Sequence, residues 1–153
     1  MSKVVKRYER RKPTVLIVDD LEDNLRILSL AIKELDLNIL TATSGEQALK
    51  IASENRLDLI LLDILIPNVD GYEVCRRIKS EENISSVPIY FITALSNLDH
   101  IIRGYHLGAD GFITKPYNGF EVTKVVKRHL DLINVEEERD YLINILKEND
   151  IEY

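Results

Sequence analysis

Three aspartates, a threonine and a lysine carry the chemistry open to this chain. Asp19 and Asp20 follow the apolar, β-branched run Thr14–Val18, and Asp63 follows the apolar run Leu57–Leu62. Thr93 and Ala94 close the run that begins at Pro88, and Lys115 follows Gly111–Thr114. Neighbouring carboxylates raise one another's pKa unless a cation neutralises them. Hard carboxylate oxygens with room for water suit Mg²⁺, with Mn²⁺ as the alternative ion. Such an ion needs only one or two protein carboxylates, so phosphate oxygens can take its remaining positions. Lys115 supplies a second positive charge for the same group. Asp63 is the candidate nucleophile, because it alone has no acid beside it. A dinucleotide loop would need glycines after the first run, whereas the chain reads Val18-Asp19-Asp20-Leu21-Glu22-Asp23, which repels a pyrophosphate.

These residues meet only if the elements before them run side by side. Thr14–Val18 predicts a buried strand. Leu21, Leu25, Leu28, Ile32 and Leu35, spaced by fours and threes, predict one helix face. Asn38–Thr41 reads as a second strand, and Ser44-Gly45-Glu46-Gln47 is a capping box opening a helix to about Asn55. Leu57–Leu62 is apolar throughout, as a strand covered on both faces must be. Pro67–Gly71 is a turn, followed by a helix with Val74, Cys75 and Ile78 inward. Pro88–Thr93 is a fourth strand. Leu98, Ile101, Ile102 and Tyr105 line a fourth helix ending near Gly108, and Gly111–Thr114 is a fifth strand. A last helix begins near Asn118 with Val122, Val125, Val126, His129 and Ile133 on its apolar side. Strands alternating with helices mean parallel βαβ units, and right-handed crossovers then dictate an α/β three-layer sandwich. Ligands of such sheets bind beyond the carboxyl ends of the strands, which is where all five chemical residues fall.

The ordered set Val18-Asp19-Asp20, Asp63 with Pro67 four residues on, Asp70-Gly71, Thr93-Ala94, and Gly108-Ala109-Asp110-Gly111 leading to Lys115-Pro116 resembles the receiver domain of bacterial response regulators. The resemblance covers residues 14–131. It implies the flavodoxin-like (βα)5 fold with parallel sheet order 2-1-3-4-5. It further implies that Asp63 is the phosphoacceptor, taking a phosphoryl group from the histidine of a sensor kinase or phosphotransfer protein. Asp19, Asp20, Asp63 and the backbone carbonyl of Leu65 would hold Mg²⁺. Lys115, Thr93 and Ala94 would stabilise the phosphoryl group. Thr93 and Phe112 would form a switch, the ring moving inward as Thr93 is drawn to the phosphate. Leu65 and Leu95 stand two residues past Asp63 and Thr93, at sites that tune hydrolysis in the family. Apolar side chains there position water poorly, so slow self-dephosphorylation is expected. The family is a signalling switch rather than a metabolic enzyme. An aspartyl-nucleophile phosphatase is the first alternative, though Asp63-Ile64-Leu65 lacks its second acid. A receiver-like binding module without phosphorylation is the other, though it would have lost one of these residues.

Composition bounds the rest. The chain has 153 residues, 45% hydrophobic and 30% charged, which suits one globular domain. A single cysteine, Cys75, excludes an internal disulfide and suggests a reducing cytoplasm. No apolar stretch approaches the roughly 20 residues of a membrane span, and a net charge of −6 argues against nucleic acid. The charge is uneven: residues 1–13 carry +5 and the remainder −11. We therefore expect a flexible, solvated basic arm over 1–13, the receiver over 14–131, and an acidic helical extension or truncated linker over 132–153. In that extension Leu132, Val135, Leu142 and Leu146 keep a helical stripe. The expected partners are the kinase, a downstream effector protein or domain, and a second copy. The second copy would meet helix 4, strand 5 and helix 5 (Leu98–Tyr105 and Phe120–Ile133) or the C-terminal helix.

Overall fold

The computed structural model describes residues 11–94 and 97–149. Strand β1 (Thr14–Val18) leads through helix α1 (Glu22–Ile32) and a short 3-10 turn to β2 (Asn38–Ala42). The chain continues through α2 (Gly45–Glu54), β3 (Leu59–Asp63), α3 (Gly71–Ser80) and β4 (Ile89–Thr93). It closes with α4 (Leu98–His106), β5 (Gly111–Thr114) and α5 (Gly119–Glu148). The five strands form one parallel sheet in the order β2-β1-β3-β4-β5, the flavodoxin-like arrangement.

The period-2 pleat divides each strand between two cores. Leu16, Val18, Ile60, Leu62, Ile89 and Phe91 face α2 and α3, where Ala48, Ala52, Val74, Cys75 and Ile78 cover them. Val15, Ile17, Leu59, Leu61, Ile92 and Ile113 face α1 and α5, covered by Leu25, Leu28, Ile32, Val122, Val126 and Leu130. With both faces covered, the three layers are complete. Burial among these side chains pushes the Cys75 thiol up to about 11, so it is an inert core residue.

Several expectations need correcting. Leu21 is not on the buried face of the first helix; it is the N-cap residue, and it is exposed. The third strand starts at Leu59 rather than Leu57, and it includes Asp63 as its last residue. The capping box forms as expected: Ser44 Oγ accepts from the Gln47 amide, and the Gln47 side chain reaches back to accept from the amide of Thr43. In α4, Leu98, Ile102 and Tyr105 are exposed, Ile101 is half-buried, and Gly104 is the helix's one buried residue.

The end of the basic arm also differs. Residues 1–10 lie outside the described residues, but Arg11 is no solvated tail. Its guanidinium makes a two-pronged pair with Asp58, including Nη1 to Oδ2 at 2.8 Å, and donates from Nε to Glu137 Oε1 at 3.0 Å. Pro13 already joins the sheet at the start of β1, its carbonyl accepting from the Asn38 amide of β2 at 2.7 Å. At the other terminus α5 runs unbroken through residue 131, giving one helix of 30 residues, about 45 Å long.

Candidate functional site

The sheet order makes β1 the turning point: the chain leaves it for β2 on one side and reaches β3 on the other. The crevice beyond β1 and β3 is thus the topological switch point, where such sheets bind ligands. Val18 stands in register with Leu62, so Asp19 and Asp63 emerge side by side. One oxygen from each of Asp19, Asp20 and Asp63 lies within 4.8 Å of the others, with Asp19 and Asp63 buried and Asp20 exposed. Lys115 directly follows β5 and precedes a cis peptide bond to Pro116, its amide donating to the Thr93 carbonyl at 2.8 Å. Its ammonium stands 3.0 Å from Asp63 Oδ2 and 3.6 Å from Asp19 Oδ2. Thr93, the last residue of β4, is buried at the same edge, and Ala94 after it is exposed.

The loop after β3 holds Asp63 in place. The Leu65 amide donates to Asp63 Oδ1 at 3.1 Å. The Pro67–Gly71 turn then folds back, the Gly71 amide donating to the Ile64 carbonyl at 2.9 Å. Asp70 caps α3 by accepting from the Glu73 amide. Gly71 is required by this close approach: a Cβ there would lie 2.4 Å from the Asp63 carbonyl oxygen and 2.7 Å from Ile64 Cα. The Asp70-Gly71 pair is therefore part of the scaffold under Asp63.

The electrostatics show an excess of negative charge. Burial raises the Asp63 pKa above its ordinary value; Lys115 and the Leu65 amide work against it, and Asp19 adds to it. Burial pulls the Lys115 ammonium the opposite way, but Asp63 and Asp19 outweigh it and hold its pKa up. Three carboxylates here face one ammonium, so the site can take another cation. Hard oxygen donors of this number suit Mg²⁺.

The structure brings Asp19, Asp20, Asp63, Thr93 and Lys115 together. Leu65 points out to solvent, 61% exposed, while its backbone serves Asp63. Leu95 lies outside the described residues. Phe112 sits away from the carboxylates, between Phe91 and Tyr105. Sequence reasoning missed Asn24, whose side-chain amide donates to Asp19 Oδ2 at 3.2 Å. With the Leu21 amide on Oδ1 at 2.9 Å, it fixes the Asp19 carboxylate. The available signal was an amide side chain in the first turn of the helix that follows the acidic pair.

A family model described as the response regulator receiver domain matches residues 15–127. Response regulator PleD of Caulobacter vibrioides is 38% identical over 102 residues, 67% of this chain and 22% of that protein. The alkaline phosphatase synthesis transcriptional regulatory protein PhoP of Bacillus subtilis is 36% identical over 113 residues, 74% of this chain and 46% of that protein. The chain thus spans about half, or less, of the length of the curated relatives it matches. The crystal structure of a two-component response regulator from Clostridium difficile superposes with a TM-score of 0.74 at 28% identity, over 80% of this chain and 99% of that one. With the acidic pair, the strand-end aspartate and the lysine all in place at the switch point, the chain belongs to the response regulator receiver domain family.

Proposed function

We propose that this receiver is switched by transfer of a phosphoryl group to Asp63 from the phosphohistidine of a sensor kinase or phosphotransfer protein. The observation that carries the proposal is the state of the Asp63 carboxylate. One oxygen is held by the Leu65 amide and the other pairs with Lys115, beside the Asp19 and Asp20 oxygens. An Asp63 oxygen attacks phosphorus in line as the phosphorus–nitrogen bond breaks, and the departing imidazole nitrogen takes up a proton. Such a transfer needs positioning and charge neutralisation more than acid–base chemistry. Asp19, Asp20, Asp63 and the Leu65 carbonyl would hold Mg²⁺, or Mn²⁺ in its place. When bound, the ion supplies the positive charge that lets three acids accept an anion. Lys115 exchanges its carboxylate partner for phosphoryl oxygens, and Thr93, flanked by Ala94, donates its hydroxyl to the same group. Drawing Thr93 to the phosphate biases Phe112, and with it the surface of α4, β5 and α5.

Leu65 and Leu95 offer no polar atom to aim an attacking water, so the acyl phosphate is long-lived. The output belongs to an effector domain or protein, and a sister copy can bind through the exposed residues of α4 or the stripe Leu132, Val135 and Leu142 on α5. Among the described residues no helix is long and apolar enough to cross a membrane, and we assign the protein to the cytoplasm. Incubation with acetyl phosphate and Mg²⁺ tests the proposal. A mass gain of one phosphoryl group that Asp63→Ala abolishes supports it. No gain would favour a binding module, and sustained turnover of the phosphate donor would favour a phosphatase.

A further inference from the structure

Phe112 connects the core to the surface. Its ring lies 5.4 Å from that of Phe91, which is fully buried, and 5.2 Å from that of Tyr105, met edge-on at 63°. Tyr105 is 51% exposed on the outer side of α4. The rings make a short ladder from sheet to solvent, held by edge and tilted aromatic contacts. Gly104, the buried residue of α4, stands where the ladder passes under the helix.

A side chain at Gly104 would close that passage. A Cβ there would come 2.4 Å from Phe112 Cζ and 3.2 Å from Phe91 Cε2. The first distance is far inside any carbon–carbon contact, so ring and methyl exclude each other. Glycine inside a helix is less favourable than alanine, and the room left by its missing side chain is taken chiefly by the Phe112 ring, with the edge of Phe91 beside it. We propose that Gly104 is the positioning residue that admits the Phe112 ring beneath α4, and that Tyr105 displays the ring's presence on the surface. The functional weight of this rests on the Thr93–Phe112 switch proposed above, whereas the packing does not. A close-packed seat is either filled or left as a cavity, so the ring has two positions rather than a continuum. Tyr105 keeps its edge contact in one of them and loses it in the other.

The test uses the whole chain carrying ¹³C-labelled phenylalanine rings. There are three phenylalanines, so Phe112→Leu and Phe120→Leu assign every ring signal. In Gly104→Ala the Phe112 signals should leave the shifts imposed by Phe91 and Tyr105. An overpacking cost of ordinary size lowers the ratio of ring-in to ring-out by roughly 5- to 150-fold. Phosphorylation by acetyl phosphate should slow in parallel, and that slowing should vanish when Gly104→Ala is made in a Phe112→Ala background. The proposal is overturned if folded Gly104→Ala leaves the Phe112 signals in place, or if it slows phosphorylation equally with and without the ring. If Gly104→Ala does not fold, adding Phe112→Leu, which removes the carbon that meets the methyl, must restore the fold. Failure of that rescue also overturns it, because the glycine would then serve the helix rather than the ring. Absence of phosphorylation in the unaltered chain would defeat the phosphoacceptor reading alone, leaving the ring spectra to decide on Gly104.

Discussion

Replacing Arg11 by alanine should destabilise the fold by about 2–3 kcal/mol at neutral pH. Arg11 lies far from the acidic site, where the chain enters β1. Its guanidinium meets both oxygens of Asp58, whose side chain is only 4% exposed. Without it, the Thr14 amide at 2.8 Å is the remaining hydrogen-bond partner of that carboxylate among the described residues. Removing one member of a buried pair costs about 3–5 kcal/mol, because the other charge is stranded. Arg11 itself is 30% exposed, so solvent screens one side and we reduce the figure to ~2–3 kcal/mol. For a chain of this size that lowers Tm by roughly 4–12 °C.

The pH dependence gives the argument a second check. Burial acts to raise the Asp58 pKa, but Arg11 and the Thr14 amide overcome it and hold the group below its ordinary value. A carboxyl depressed by folding stabilises above its unfolded pKa and loses that contribution as pH falls through the folded one. The difference between the two proteins should therefore be full at neutral pH and shrink below ~pH 4. Urea unfolding at both pH values measures it, and adding Asp58→Asn to Arg11→Ala should recover most of the loss. A cost under ~0.5 kcal/mol at neutral pH, or one that persists unchanged in acid, would refute the reasoning.

Asp63→Asn should stabilise the metal-free protein. The folded pKa of Asp63 is raised, so the unaltered chain loses stability as pH rises through that titration and the variant does not. Thermal melts in chelator across the carboxylate range check this, and a less stable variant at neutral pH would contradict it. Mg²⁺ at a hundred times its Kd should stabilise the unaltered chain by ~2.7 kcal/mol, and Asp19→Asn with Asp20→Asn should remove most of the shift. Loss of the acyl phosphate, followed by mass spectrometry, should be slow and should quicken in Leu65→Asn. A half-life of seconds in the unaltered chain with Mg²⁺ present would sink the roles given to Leu65 and Leu95. Glu137→Gln should cost less than ~1 kcal/mol, because its ion pairs with Arg11 and Arg56, 30% and 70% exposed, are both screened by solvent.

Much of the sheet was legible because strand burial is written locally. Runs such as Leu59–Leu62, apolar on both pleat faces, have no alternative to a doubly covered strand. The helices were legible where the apolar residues form one stripe, as in α3, whose Val74, Cys75 and Ile78 are all buried, but less so in α4. There periodicity detects an apolar face without saying whether it meets core or solvent. Leu98, Ile102 and Tyr105 face solvent, because Phe91 and Phe112 already fill the space beneath and leave room only for Gly104. Arg11 was misread for a related reason: a run of basic residues looks solvated until an acid 47 positions away is buried beside one of them.

The same division runs through the site. The order of acidic pair, lone aspartate, threonine and lysine was legible in the sequence, since each stands at the end of a strand and right-handed crossovers put those ends on one edge; the strand order 2-1-3-4-5 came only from the family resemblance. Distance was not legible. Only the parallel register that sets Val18 beside Leu62 carries Asp19 to Asp63, and only the folded-back Gly71 turn fixes how Asp63 stands. Asn24 becomes a site residue by the same route, through a side chain that reaches Asp19 from the next turn of chain. Residue types determine which chemistry is available. Burial and separation, which exist only once strands far apart in sequence lie together, decide the charge that chemistry must work against.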